Sequence, residues 1–261
     1  MGEVSSYAPG TPSWVDLATS DPEGARSFYG RLFGWGFEVG PAETGHYTMC
    51  QLDGGNVAGM AGEPTREGVP TAWTTYMAAD DADGVARRIT DGGGTVLMGP
   101  LDVMSQGRLV VASDPVGALF GVWQAGDHVG ASLVNEPGSL VWSELATRDL
   151  AAAQVFYTQV FGYGWEPVDT GESGPAYQTF SVDGRTMGGA MQMTADWPQQ
   201  IPPHWMTYFA VADTEAAAAA AEELGGAVRV PPTDSPYGRF AVLADPQGAV
   251  FTVMRAAGPG G

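Results

Sequence analysis

The chain has a single cysteine, Cys50, among 261 residues. One thiol closes no internal disulfide, and no paired-cysteine metal motif exists. A reducing compartment is the natural setting for such a chain. Histidine is almost as scarce, with only His46, His128 and His204. Basic residues are few: eleven Lys and Arg stand against thirty Asp and Glu, for a formal net charge of −19. That surface repels phosphate backbones and anionic lipid, which argues against nucleic acid and membrane surfaces as partners. No apolar run approaches the roughly 18 residues of a membrane span. The first residues show no basic segment followed by an apolar run, so no signal peptide is expected and the reading is a cytoplasmic protein. Also missing are a GxSxG elbow, a Walker loop and a GxGxxG between strand and helix. The acidic turn at Asp80 and Asp81 lacks EF-hand spacing and reads as helix-capping, solvated charge.

What the chain has in quantity is apolar and aromatic residues. Apolar types make up 44%, with eight Trp, nine Tyr and ten Phe. It also has itself, twice. TPSWVDLATSDPEGARSFYGRLFGWGFE begins at Thr11, and SLVWSELATRDLAAAQVFYTQVFGYGWE begins at Ser139. WTTYMAADD from Trp73 returns as WMTYFAVAD from Trp205, and GRLVVASDPVGALFGVWQA from Gly107 as GRFAVLADPQGAVFTVMRA from Gly238. The spacing of about 130 residues is too long for a solenoid repeat, which runs roughly 20–50. It marks two homologous modules, expected at 8–126 and 139–257, with a Gly-, Asn- and Pro-bearing linker at 127–138.

Each half reads in one order. A strand (Ser13–Thr19, or Leu140–Thr147) leads to a helix capped by Asp21 or Asp149 and stopped by Gly34 or Gly162. Strands follow near Tyr47–Leu52 and Trp73–Ala79, with copies at Tyr177–Val182 and Trp205–Val211. A second helix starts near Ala82 or Thr214. The low-complexity copy TEAAAAAAEELGG is read as a helix and not a linker, because its counterpart DADGVARRITDGGG is amphipathic. Two strands, Arg108–Ala112 and Leu119–Gln124, close the unit around the turn DPVG, which recurs as DPQG. The fold class is α+β, with a curved sheet in each half.

FYG followed by FGW after the first strand, and SDPxG near the end, in tandem βαβββ modules, resemble the vicinal oxygen chelate superfamily of glyoxalases, bleomycin-resistance proteins and extradiol dioxygenases. The paired arrangement is most similar to the two-domain glyoxalase-like proteins often labelled hydroxylases. The resemblance covers nearly the whole chain and implies paired, open-barrel curved sheets around a cavity. It also implies a divalent metal held by His, Glu or Gln on the first, third and last strands of a module. Here those places hold Trp14, Thr74 and Gly121, and Trp142, Met206 and Thr252. Indole nitrogen only donates and cannot ligate. The expectation is therefore no metal and no cofactor, with His46 and His204 the residues available to an unconventional site and loop solvation their plainer role.

Strand residues alternate faces. If Trp14 points inward, so do Asp16, Thr74, Tyr76 and Trp123, joined by Tyr47. In the second half Trp142, Glu144, Met206, Tyr208 and Met254 face inward, joined by Tyr177. Aromatic walls with sparse polar groups suit a flat, largely apolar guest, although the same rings could simply fill the barrel. Asp16 and Glu144 are equivalent and admit three readings: accepting hydrogen bonds from Trp, Tyr or the equivalent Arg108 and Arg239, contacting a ligand, or acid–base catalysis. The functional expectation is a metal-free protein binding an aromatic or polyketide-like small molecule between its modules. The alternative is a glyoxalase-like lyase or hydroxylase-type enzyme working through an atypical metal site or through Asp16 and Glu144. Two modules per chain make a monomer sufficient, and a homodimer is the other option.

Overall fold

The computed structural model describes residues 4–62, 71–171 and 174–257. The first half runs β1 (Pro12–Thr19), α1 (Pro22–Phe33), β2 (Gly36–Val39), β3 (Thr48–Leu52), β4 (Gly55–Gly62), β5 (Ala72–Ala79), α2 (Ala82–Asp91), β6 (Thr95–Val103), β7 (Gly107–Ser113) and β8 (Leu119–Ala125). The second half repeats it as β9 (Leu140–Thr147), α3 (Leu150–Phe161), β10 (Gly164–Val168), β11 (Tyr177–Val182), β12 (Arg185–Gln192), β13 (His204–Ala210), α4 (Thr214–Glu223), β14 (Ala227–Ser235), β15 (Gly238–Ala244) and β16 (Val250–Ala256). Each half is thus two βαβββ units that share one eight-stranded sheet, ordered β2-β3-β4-β1-β5-β8-β7-β6 and β10-β11-β12-β9-β13-β16-β15-β14. The α+β class and the tandem arrangement are as expected. Neither sheet closes into a barrel.

The helices start and stop where their sequences direct. Asp21 accepts from the Gly24 amide at 2.9 Å, Pro22 opens α1, and Gly34 ends it at φ 77°. Asp149 and Gly162, at φ 76°, do the same for α3. The alanine-rich segment is α4, capped by Asp213. Six strands were not legible. β2 is four residues long, β4 is glycine-rich, and β6 is an edge strand broken by Gly99-Pro100. Their copies are similar: β10 is five residues long, β12 carries two glycines, and β14 is an edge strand broken by Pro231-Pro232.

The alternation of β1 buries Val15 and Leu17 beneath α1, against Phe28 and Tyr29. The helix-bearing faces of the two sheets then meet. α1 lies against α4, α2 against α3, and β5 touches β13. Each of the two large cores draws from both halves: α2 and β8 pack with α3, β11 and Trp205, while α1 and β1 pack with α4, β15 and Phe209. The other faces of the sheets consequently open away from each other. The residues expected to line a cleft between the modules lie instead on the outer face of their own sheet. Helices of both halves pack between the sheets, and each half carries its own cleft.

Two reciprocal hydrogen-bond chains tie the halves. The Tyr29 hydroxyl donates to Asp245 at 3.0 Å and accepts from the Trp73 indole at 3.0 Å. The Tyr157 hydroxyl donates to Asp114 at 3.2 Å and accepts from the Trp205 indole at 2.9 Å. The second oxygens of Asp114 and Asp245 cap their own DPxG turns. Each tyrosine therefore reaches from the first helix of one half into the last turn of the other. Tyr29→Phe and Tyr157→Phe each strand a buried indole N–H and a carboxylate oxygen, and each should destabilise the chain by about 1–3 kcal/mol, roughly additively in the double variant. Urea unfolding measures this; losses below about 0.5 kcal/mol would show that the contacts do not hold the halves together.

Candidate ligand-binding cleft

β1 and β9 lie at the middle of their sheets, so their outward-facing residues form the floor of each cleft. Asp16 stands level with Gly59 on β4 and Thr74 on β5. Glu144 stands level with Gly189 on β12 and Met206 on β13. The Tyr76 hydroxyl donates to Asp16 at 3.0 Å, and the Tyr208 hydroxyl to Glu144 at 3.0 Å. Trp14 donates its indole N–H to Tyr47 at 2.9 Å, and Trp142 to Tyr177 at 3.2 Å. Tyr47 and Tyr177 hydrogen-bond the same carboxyl groups in turn. Glycine at 59 and 189 makes this possible. A Cβ there would lie 1.8 Å from the Tyr47 hydroxyl and 2.0 Å from that of Tyr177. The sequence expectation missed these glycines, whose signal was a Gly at the same place in both copies of an otherwise unread strand.

Burial pushes the Asp16 carboxyl up to about 7, although hydrogen bonds from Tyr76 and Tyr47 pull it down. Burial also raises Glu144, opposed by Tyr177 and Tyr208. The expected arginine partners are not involved. Arg108 pairs with Asp83 and Asp102, and Arg239 with Glu215 and Asp234. The cause is register: Arg108 sits opposite Asp102 on β6, and Arg239 opposite Asp234 on β14, toward the sheet edge.

The two clefts share this floor and differ above it. In the first, Trp14, Tyr76 and Trp123 bury one another together with Ala131. His128 sits edge-on to Trp14, with ring centroids 4.4 Å apart, and its carbonyl accepts from the Trp123 indole at 2.7 Å. Asp16, Tyr47 and Thr74 keep partial exposure beside that cluster. In the second half a cavity of about 480 Å³ opens instead. All six second-half candidates line it: Trp142, Glu144, Tyr177, Met206, Tyr208 and Met254. Phe240 and Val242 of β15, Trp197 and Tyr237 add to the wall and had not been foreseen. Phe240 and Val242 follow from alternation, since Ala241 and Leu243 are fully buried on the other side. Tyr237 lies in the β14–β15 turn and stacks on Trp142 at 6.0 Å. Residues in turns carry no periodicity that would reveal them.

The family model described as Glyoxalase/Bleomycin resistance protein/Dioxygenase superfamily matches residues 11–122 and 139–253. The chain belongs to this superfamily. It is 43% identical over 262 residues to the "Putative glyoxylase CFP32" of Mycobacterium tuberculosis (strain CDC 1551 / Oshkosh), covering 98% of this chain and 99% of that one. It is 37% identical over 265 residues to the anthracycline biosynthesis protein DnrV of Streptomyces peucetius, covering 96% and 95%. Among solved structures, the 2,3-dioxygenase LapB from Pseudomonas sp. KL28 superposes with a TM-score of 0.66 at 15% identity, over 97% of this chain and 95% of LapB, a likeness of fold.

The divalent metal that the superfamily implies does not fit the residues in either cleft. Trp142 points its only nitrogen at Tyr177, and the fully buried Thr252 hydroxyl donates to the Met206 sulfur at 2.8 Å. Among the described residues no group of three or more His, Cys, Asp or Glu is placed to hold a metal ion. His46 is exposed and bonded to the Gly40 carbonyl, and His204 to that of Pro202. Cys50 is buried on β3 behind the cleft floor. No described helix is long and apolar enough to cross a membrane.

The raised carboxyl gives a pH test. An unfolded aspartate titrates near 3.9. Between about pH 4 and about pH 7 the folded chain holds an Asp16 proton that the unfolded chain has released, so stability falls as pH rises through that window. Asp16→Asn should remove up to about 4 kcal/mol of this fall, and should be the more stable form at pH 8. Urea midpoints at pH 5 and pH 8 measure it; an identical pH dependence in both proteins would refute the assignment.

Proposed function

We propose that this protein binds a planar, uncharged aromatic molecule of the polyketide type in the second-half cleft, without a metal. The observation that carries this reading is the cavity itself. Its size lies within the roughly 300–1,000 Å³ of small-molecule sites. Its wall is aromatic, thioether and aliphatic side chains with two small hydroxyls and one carboxyl group at the floor, and no Arg, Lys or His among the residues that line it. An anionic guest finds no partner there. A flat ring system finds faces to stack on, Met191, Met206 and Met254 to adapt around it, and hydroxyls near Glu144 to orient it. DnrV, named for anthracycline biosynthesis, supports a polycyclic aromatic guest. The role is sequestration, resistance or service to a neighbouring enzyme of the pathway, in a cytoplasmic protein whose single chain holds the whole site.

A second reading has its own support. Glu144 lines the cavity, and burial raises its carboxyl above the ordinary range, the direction a general acid needs. On that reading the protein is a lyase or hydroxylase-type enzyme using metal-independent acid–base chemistry. The two readings part on one comparison. Titrating 1,8-dihydroxyanthraquinone should quench tryptophan fluorescence, with or without EDTA, and Trp142→Ala should weaken binding about 10–100-fold. Retention of full affinity in Trp142→Ala removes the binding reading for this cleft. Turnover of a methylglyoxal–thiol adduct that is lost in Glu144→Gln installs the enzymatic one.

A further inference from the structure

The first cleft contains an image of what the second is built to hold. Trp123 and Met254 occupy the same place in the repeat, GVWQA against TVMRA. Trp123 belongs to a buried cluster with Trp14, Tyr76 and the linker residue Ala131, against which Met49, Val103, Leu109 and the linker residue Val134 pack. The strand residues Trp14, Tyr76, Val103 and Leu109 have the counterparts Trp142, Tyr208, Ser235 and Phe240, all of which line the cavity of the second cleft. The walls are therefore the same walls. What differs is the occupant. In the first cleft an indole from β8 fills the space, with the His128 ring five residues downstream laid edge-on to Trp14 and Trp123. In the second, β16 offers the slender Met254 at the same place.

We infer that the second cleft takes its ligand ring system in the place where Trp123 and His128 lie in the first, so that each chain holds one ligand and Met254 is the residue that keeps the site open. The inference rests on the proposed binding function and adds to it a location, a stoichiometry and a determinant. It also sets the ligand's shape: a fused bicycle or larger, lying between the Trp142 and Phe240 walls, with a polar edge. In the first cleft that edge is the Trp123 N–H, which donates to the His128 carbonyl. The Trp14, Tyr47, Asp16 and Tyr76 network below it needs no ligand, because its hydrogen bonds are already internal.

The test exchanges the two residues. Isothermal titration with 1,8-dihydroxyanthraquinone should give one equivalent per chain for the native protein. Met254→Trp should plug the second cleft, weaken binding by at least about a hundredfold, and raise the melting temperature, because a ring fills a cavity. Met254→Phe, a smaller plug, should fall between. Trp123→Met combined with His128→Ala should lower the melting temperature and add a second binding equivalent. Two equivalents in the native protein, or undiminished binding by a folded Met254→Trp chain, would overturn the inference. If the native protein takes up none of the quinone, the functional reading fails by itself. The equivalence of the clefts is then decided by melting alone: it stands if Met254→Trp and Met254→Phe melt higher and the Trp123→Met double variant lower, and falls if those signs are reversed.

Discussion

The structure depends on two buried tyrosine hydroxyls. Tyr29 and Tyr157 each sit at the crossing of three elements: their own helix, the tryptophan on β5 or β13 of their own half, and the aspartate turn of the other half. A buried hydroxyl with one partner missing is costly, so these positions admit little else. By joining α1 to the last turn of the second half and α3 to that of the first, they commit the sheets to meet through their helical faces. Everything functional follows from that commitment. The faces left outside become clefts, one per half, directed away from each other.

The clefts began as copies and have diverged by few side chains. Both keep a tryptophan, two tyrosines and a carboxyl group joined by hydrogen bonds over a glycine on the neighbouring strand. Above that floor, Trp123 and His128 close one and Met254 leaves the other open. Burial raises the carboxyl group in both. The shared network thus reads as architecture inherited by both halves, and the difference between them lies in the side chains that the last strand presents.

The repeat, the helix caps and the alternation of the first strands were legible because each is a local pattern with a physical cause. Asp21 before Pro22, Gly34 after Phe33 and the parity of Trp14, Val15, Asp16 and Leu17 all appear as written. Strands such as β4 and β6 were not legible, because glycine and proline dilute the alternation on which a strand is recognised. Parity brought the second-half candidates to one cleft. It could not tell that Trp123 would face its own linker ring, nor that Arg108 would be drawn to Asp102 by register. It also could not choose which faces of the two sheets would meet. That choice is made by hydrogen bonds that cross between the halves, such as Tyr29 to Asp245 and Tyr157 to Asp114.

The closed first cleft has a consequence for how such a chain can change. An occupied aromatic core contributes stability that an open cavity forgoes. With that stability lodged in one half, the other is freer to accept substitutions that reshape its walls at some cost to folding. Duplication has in effect divided the chain into a ballast and a variable part. New ligand preferences can then arise in the second half while the first continues to hold the whole together.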